Sequence, residues 1–356
     1  MPHGRVCVAI VTYNSGRYIR RCIDAVLRQE GVPIEVVVVD NSSTDDTCEI
    51  LKEFKGRIRK FLNNRNLGFA EAQNRAIRAS RSEWVLTLNP DVLLLPGFIR
   101  RLVEAGESDP GAGAVCGKLL SIGPGFDFLP EPRIDSTGIF FTPAMRHFDR
   151  GWHEPDIQCF ETMEYVFGAS AAAALFRRRM IDDIAVEGSF FDPDFFIYRE
   201  DADVAWRAQL MGWRCIYTPQ ATSYHVRTAN PENRRSVPAA VNMHSVKNRF
   251  LMRIKNATPG LYRRFWLAMT LRDLTVLGGV LFWEPSSLPA LWRLAACLPR
   301  AWRQRRQIMS RKRVSDEVMA QWFSVEPAAL PIDSTPAPIP ARRILSPAVS
   351  LAGRAT

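Results

Sequence analysis

With 356 residues, 47% hydrophobic and 24% charged, the chain has material for one large α/β domain and a smaller appendage. Seven cysteines scattered without C-x-x-C spacing argue against a disulfide framework or a zinc site and for reduced core thiols. The formal charge of +10 is uneven, with Arg293, Arg300, Arg303, Arg305, Arg306, Arg311, Lys312 and Arg313 crowded into one segment.

The N-terminus has one Arg before a short apolar run that stops at Thr12-Tyr13-Asn14, too short for a signal peptide, so the protein is expected to stay in the cytosol. Val6–Thr12 is continuously apolar and predicts a strand buried on both faces. Ile19, Cys22, Ile23, Val26 and Leu27 then recur at helical spacing. Ile34–Val39 predicts a second buried strand ending at Asp40, with Ser42 and Ser43 as N-cap candidates for a helix to about Phe54. A third strand is expected at Ile58–Leu62, a helix at Gly68–Ser80, and a fourth strand at Trp84–Leu88, ending in Asn89-Pro90-Asp91. This alternation implies a mostly parallel central sheet with helices on both faces, and such sheets bind ligands at the carboxyl ends of their strands. Thr12, Asn14, Asp40, Asn41, Asn89 and Asp91 all fall there. Residues 120–164 mix Gly, Pro and aromatics without a readable period. Order returns at Gly168–Phe176, in a helix over Ala202–Met211, and in a short strand, Cys215–Thr218, ended by Pro219.

Asp40 ends a buried strand, where its carboxylate either accepts from a nucleobase imide or ribose hydroxyl or caps the next helix. Asn89-Pro90-Asp91 aims a carboxylate out of a strand end, which suits a hard divalent cation facing a diphosphate, or else forms a simple turn. Glu200-Asp201 opens a helix, and acids there commonly just complement the helix dipole. Here the aromatic run Phe190, Phe191, Phe195, Phe196 and Tyr198 precedes them and offers an apolar wall that keeps a carboxylate basic. His225 is a ligand or a structural histidine. Asn66, Gly68 and Asn74 lie at a loop-to-helix junction whose amides face an anion or simply start the helix.

In this order TYN, VVVDNSSTD, NxGFAxAxN, NPD, FFIYREDADVAWR and a later His resemble the family 2 glycosyltransferases, over about residues 5–256, and most of all their bacterial rhamnosyltransferase-type branch, which makes cell-surface polysaccharides. His244–Asn256 and Arg305–Ser315 also look like that branch. The resemblance implies a GT-A fold and transfer, with inversion, of a sugar from a nucleotide-diphosphate donor to a glycan or polyprenyl-linked acceptor. The favoured donor is dTDP-L-rhamnose, with UDP-hexoses next. Asp40 would contact the base beside Thr12, Asn14 and Asn41. Asn66, Gly68, Asn74 and Asn89 would line the nucleotide pocket. Asp91 and His225 would serve a divalent metal, Mg2+ or Mn2+, and Asp201, next to Glu200, would be the catalytic base. One departure is that Asn89 stands where the family's metal motif has its first acid, so one charge is lost.

The expected division is a catalytic domain over 1–236, a basic, Trp-rich amphipathic helical region over 237–325, and a disordered Pro/Ala-rich tail over 326–356. Phe265–Trp283 is apolar enough to raise the question of a membrane span, but Arg272 and Asp273 at its centre would each cost about 2.5–3.5 kcal/mol there. Helices lying in the headgroup region are expected instead, held to anionic lipid by the basic cluster at about 1 kcal/mol per side chain, the alternative being that these helices simply pack on the catalytic domain. The expected location is therefore the inner face of the cell membrane. Nucleic acid is not an expected partner, because the basic run is confined to a Trp/Leu-rich tail. A non-catalytic nucleotide-sugar-binding relative is the other alternative, opposed by the joint presence of Asp40, Asp91, Asp201 and His225.

Overall fold

The structure is a computed structural model, and it describes residues 5–156, 160–227 and 239–332. In chain order the first half contains β1 (Val6–Thr12), α1 (Gly16–Leu27), β2 (Ile34–Asp40), α2 (Thr47–Glu53), β3 (Arg59–Leu62), α3 (Gly68–Arg78), β4 (Trp84–Leu88), β5 (Val92–Leu94), α4 (Phe98–Glu107) and β6 (Ala112–Ser121). There follow β7 (Ile134–Ser136), β8 (Ile139–Phe141), β9 (His147–Asp149), β10 (Glu164–Val166), β11 (Ala173–Arg177), α5 (Arg178–Ile184), α6 (Glu200–Leu210) and β12 (Arg214–His225). The last part is helical: α7 (Ala239–Asn256), α8 (Pro259–Phe282), α9 (Pro289–Arg311) and α10 (Asp316–Ala320), then the short β13 (Leu330–Pro331).

The main sheet runs β13-β10-β12-β6-β11-β4-β1-β2-β3. The four strands β4, β1, β2 and β3 are parallel, as expected from strand–helix alternation. Beyond them β11 lies antiparallel to both β4 and β6, whereas β12 is parallel to β6, so the sheet as a whole is mixed. Burial on both faces explains the unbroken apolar runs. In β1, Val6, Val8 and Ile10 face the core formed with α1 and α4, and Cys7, Ala9 and Val11 face the core formed with α3 and α5. The described cysteines are all free thiols, and Cys159 lies outside the described residues.

Several expectations are corrected. The helix after β2 starts at Thr47 with Asp46 as N-cap, not at Ser42 or Ser43. Ser43 is instead drawn back onto Asp40, and Ser42 takes a left-handed φ of 65°. β12 does not stop at Pro219. A register shift between Thr218 and Thr222 lets the chain bulge outward there and resume pairing with β6 as far as His225. The unreadable 120–164 stretch holds β7 and the β8–β9 hairpin. The tail expected to be disordered from Glu326 is ordered at its start, where Leu330–Pro331 pairs with β10; residues 333–356 lie outside the described residues.

The C-terminal region is also knitted into the catalytic core. Phe323 packs on Phe141, Phe167, Trp206 and Phe265, and Ser324 N–H donates to the Phe141 carbonyl at 3.1 Å. Of the eight basic side chains expected to meet lipid, six bond protein: Arg300 and Arg303 to Glu187, Arg305 and Arg311 to carbonyls of Ile254 and Ala185, Lys312 to Asp316, and Arg313 to Asp183. Beside Arg263 and Arg264, α8 and the start of α9 expose many large apolar side chains: Trp266, Leu267, Leu271, Leu274, Phe282, Trp283 and Trp292, with Trp283 80% and Trp292 82% exposed. α8 is long and apolar enough to cross a membrane, and Asp273 at its middle turns inward to pair with Arg253 of α7.

Candidate active site

At the end of β2, Asp40 is 1% exposed. Its Oδ1 accepts from the hydroxyls of Thr12 (2.8 Å) and Ser43 (2.6 Å), and its Oδ2 accepts from Ser43 N–H (2.9 Å). Asp40, expected to contact the base, organises the β1 and β2 strand ends. Asn14, at φ 50°, ties this corner to the next loop by accepting from Thr44 N–H at 2.8 Å. Asn41 is buried, donating to the Gly68 carbonyl (3.1 Å) and accepting from Asn63 (2.7 Å).

The NxGFAxAxN segment serves mainly to grip the loop that leads into α6. Asn66 accepts from Gly68 N–H at 2.8 Å. Gly68 has a φ of +81°, and a Cβ there would stand 2.6 Å from the Phe196 carbonyl oxygen. Glycine is thus required for both reasons. Asn74, expected in the nucleotide pocket, is buried and uses both ends of its amide on the Phe191 main chain, donating to the carbonyl at 2.7 Å and accepting from the N–H at 3.0 Å. That correction follows from burial: an amide enclosed by protein must satisfy itself there.

The gripped loop is strained. Phe196, Tyr198 and Arg199 all have positive φ, near 64°, 69° and 71°. From α7, Asn248 Nδ2 lies 2.8 Å from the carbonyls of Phe195, Ile197 and Tyr198. The inner side of α6 is fixed as well, because buried Asp203 accepts from Arg207 (2.9 Å), Lys255 (3.1 Å) and Asn256 (2.8 Å). The outer side of the same first turn presents Glu200 and Asp201. Asp201 Oδ1 accepts from Ala202 N–H (2.7 Å) and Oδ2 from Ala171 N–H (3.3 Å). Burial, and next the charge of Asp149, raise the Asp201 carboxyl above the ordinary aspartate range. Burial, and next Asp201, raise Glu200, whose Oε2 is buried without a hydrogen-bond partner. Carboxyls so placed are strong bases once ionised.

Asp201 and the Asn89-Pro90-Asp91 turn are neighbours. Ala171 bonds Asp201, and the next residue, Ala172, accepts from Asn89 N–H at 2.8 Å. His225 pairs with Val92 in the β5–β12 ladder, which brings its Nε2 3.4 Å from Oδ1 of the preceding Asp91. The other ring nitrogen, Nδ1, bonds Asp135 Oδ2 at 2.8 Å. Arg227 grips Asp135 (2.6 Å) and Asp149 (2.6 Å) and so links β7 to β9, whose Asp149 acts on Asp201 through its charge. Burial would lower His225, but Asp135 and Asp91 raise it to about 10. Burial would raise Asp91, but the His225 charge holds it below the ordinary value.

The Asp91 carboxylate and the His225 imidazole, 3.4 Å apart, suit a divalent cation once the cation displaces the Nε2 proton of His225. Among the described residues no group of three or more His, Cys, Asp or Glu is placed to hold an ion by itself. A cation here would share its coordination sphere with a bound ligand. Asp135, Asp149, Arg227 and Asn248 were not found by the sequence reading. The first two lie in a stretch without period, and only the nearness of Arg227 to His225 offered a hint.

The protein-family model for glycosyl transferase family 2 matches residues 7–185. Over 250 residues the chain is 26% identical to an N-acetylglucosaminyl-diphospho-decaprenol L-rhamnosyltransferase of Mycobacterium tuberculosis, covering 61% of this chain and 75% of that one. Among solved structures it superposes on GalNAc-T7, crystallised with UDP, GalNAc and Mn2+, at a TM-score of 0.57 and 14% identity, covering 71% of this chain and about half (48%) of that one. It also superposes on TarS of S. aureus at 0.52 and 17% identity, covering 86% and 52%. Likeness at such identity speaks for the fold alone.

Proposed function

The chain belongs to glycosyl transferase family 2, nucleotide-sugar-dependent enzymes of GT-A fold, and on that premise we propose an inverting transfer in which Asp201 is the general base. The observation that carries this reading is the two-residue link Ala171–Ala172, which sets Asp201 beside Asn89 and so beside the Asp91–His225 pair. A donor diphosphate lying against Asp91 and His225 would turn its sugar toward Asp201.

Asp91 and His225 would hold the divalent cation, Mg2+ or Mn2+, which when bound neutralises charge on the leaving nucleoside diphosphate. Thr12, Asp40 and Asn41 shape the strand ends on which the base packs. The acceptor hydroxyl lies against Asp201, and the carboxylate takes its proton as the oxygen attacks the anomeric carbon from the face opposite the diphosphate. Burial and Asp149 keep Asp201 basic enough for that role. Glu200, raised by burial and by Asp201, keeps the neighbouring position apolar or protonated and so limits the charge next to the base.

The favoured donor is dTDP-L-rhamnose and the favoured acceptor a sugar on a polyprenyl diphosphate, for cell-surface polysaccharide. The support is the activity named for the mycobacterial relative. Peripheral attachment to the inner face of a membrane suits such an acceptor, and the exposed apolar residues of α8 and the α8–α9 turn support it.

The test is Asp201→Asn assayed with dTDP-L-rhamnose and a polyprenyl-diphosphate-linked N-acetylglucosamine. Transfer should fall by roughly 10²–10⁴-fold, with donor affinity nearly unchanged. Near-normal turnover in the variant would remove Asp201 as the base.

A further inference from the structure

Asp135 has no part in the mechanism above, yet it is buried and paired with both His225 and Arg227. Its side chain is 2% exposed. It accepts from His225 Nδ1 at 2.8 Å and from Arg227 Nε and Nη2 at 2.6 and 3.3 Å. The same guanidinium reaches Asp149 Oδ2 at 2.6 Å, on the hairpin strand β9. The imidazole nitrogens lie on opposite sides of one rigid ring, so anchoring Nδ1 fixes where Nε2 points. Nε2 ends 3.4 Å from Asp91 Oδ1, longer than a good hydrogen bond. The tight contact that sets the ring is therefore the one to Asp135, and the looser side faces Asp91.

We propose that Asp135 is a positioning residue of this active site: it locks His225 so that Nε2 is presented beside Asp91, and through Arg227 it fixes Asp149. His225 and Asp149 are thereby both tied to β7. The inference rests on reading Asp91 and His225 as the cation's protein ligands. A carboxylate behind a ligating histidine typically governs metal affinity by 10–100-fold.

The experiment measures Mn2+ binding to the full-length protein by electron paramagnetic resonance in the presence of saturating dTDP, which supplies the diphosphate, and without acceptor. Asp135→Asn, which keeps the shape and removes the charge, should weaken Mn2+ binding by about 10–100-fold, and His225→Ala should remove His225's share altogether. If Asp135→Asn binds Mn2+ like the wild type while His225→Ala does not, the positioning role is overturned and the ligand reading stands. If both variants bind like the wild type, the ligand reading falls and takes the inference with it. A second measurement needs no variant: in wild-type protein with ¹⁵N-labelled histidine, Zn2+ should move the Nε2 resonance of His225 while Nδ1 keeps its proton. Zn2+ on Nδ1, or on neither nitrogen, would refute the proposal.

Discussion

Asp201 and Asp203 are two residues apart in one helical turn, yet their environments differ in kind. Asp203 is enclosed by Arg207, Lys255 and Asn256, which compensate its charge. Asp201 meets only two backbone N–H groups and feels the charge of Asp149. The ED-x-D-x-x-x-R pattern is thus half chemistry and half scaffold. The raised Asp201 carboxyl has a kinetic consequence. As pH falls through its raised pKa the base is protonated, so the acid limb of the rate profile should lie above the ordinary aspartate range. Asp149→Asn removes the second-largest cause of that rise and should move the limb to lower pH; a limb unmoved in a kcat/KM-against-pH series would mean that Asp149 does not act on the base.

At the scale of elements, the strained loop before α6 is held from two sides, by α3 through Gly68 and Asn74 and by α7 through Asn248. Strain of this kind persists only where surrounding structure enforces it. Gly68→Ala forces a Cβ onto the Phe196 carbonyl at a left-handed φ. It should cost about 1–3 kcal/mol in a denaturant melt and lower kcat more than it weakens donor binding. Asn248→Leu removes the amide that ties the loop carbonyls to α7 and should act in the same direction, with little change in donor Kd. Equal losses in kcat and donor affinity for both variants would show that the loop serves donor binding instead of the base.

The whole molecule is closed by its C-terminal segment. Phe323 sits between Phe141 beside the hairpin and Trp206 of α6, so it buttresses both acid-bearing elements. Phe323→Ala should cost about 3–5 kcal/mol, read as a lower melting temperature. Membrane attachment belongs to this scale too. With six of the eight basic side chains bonded to protein, the proposed attachment would rest on Trp and Leu side chains more than on charge. In flotation with vesicles, the Phe282→Ser/Trp283→Ser double variant should lose binding, and Arg293→Gln/Arg306→Gln should change only its salt dependence. Binding unaffected by the first pair would place the lipid contact elsewhere.

The parallel half of the sheet, the strand-end placing of Asp40, Asn89 and Asp91, and the acid pair on α6 are legible in the sequence because period and punctuation are local. A run such as Val6–Thr12 declares its burial within seven residues. The role of Asp135, the clamp from Asn74 to Phe191 across 117 residues, and the neutralisation of the basic tail by Glu187 and Asp183 are not legible. Each is a contact between residues far apart in the chain. A polar side chain's partner is set by what folding brings beside it, and no local pattern records that.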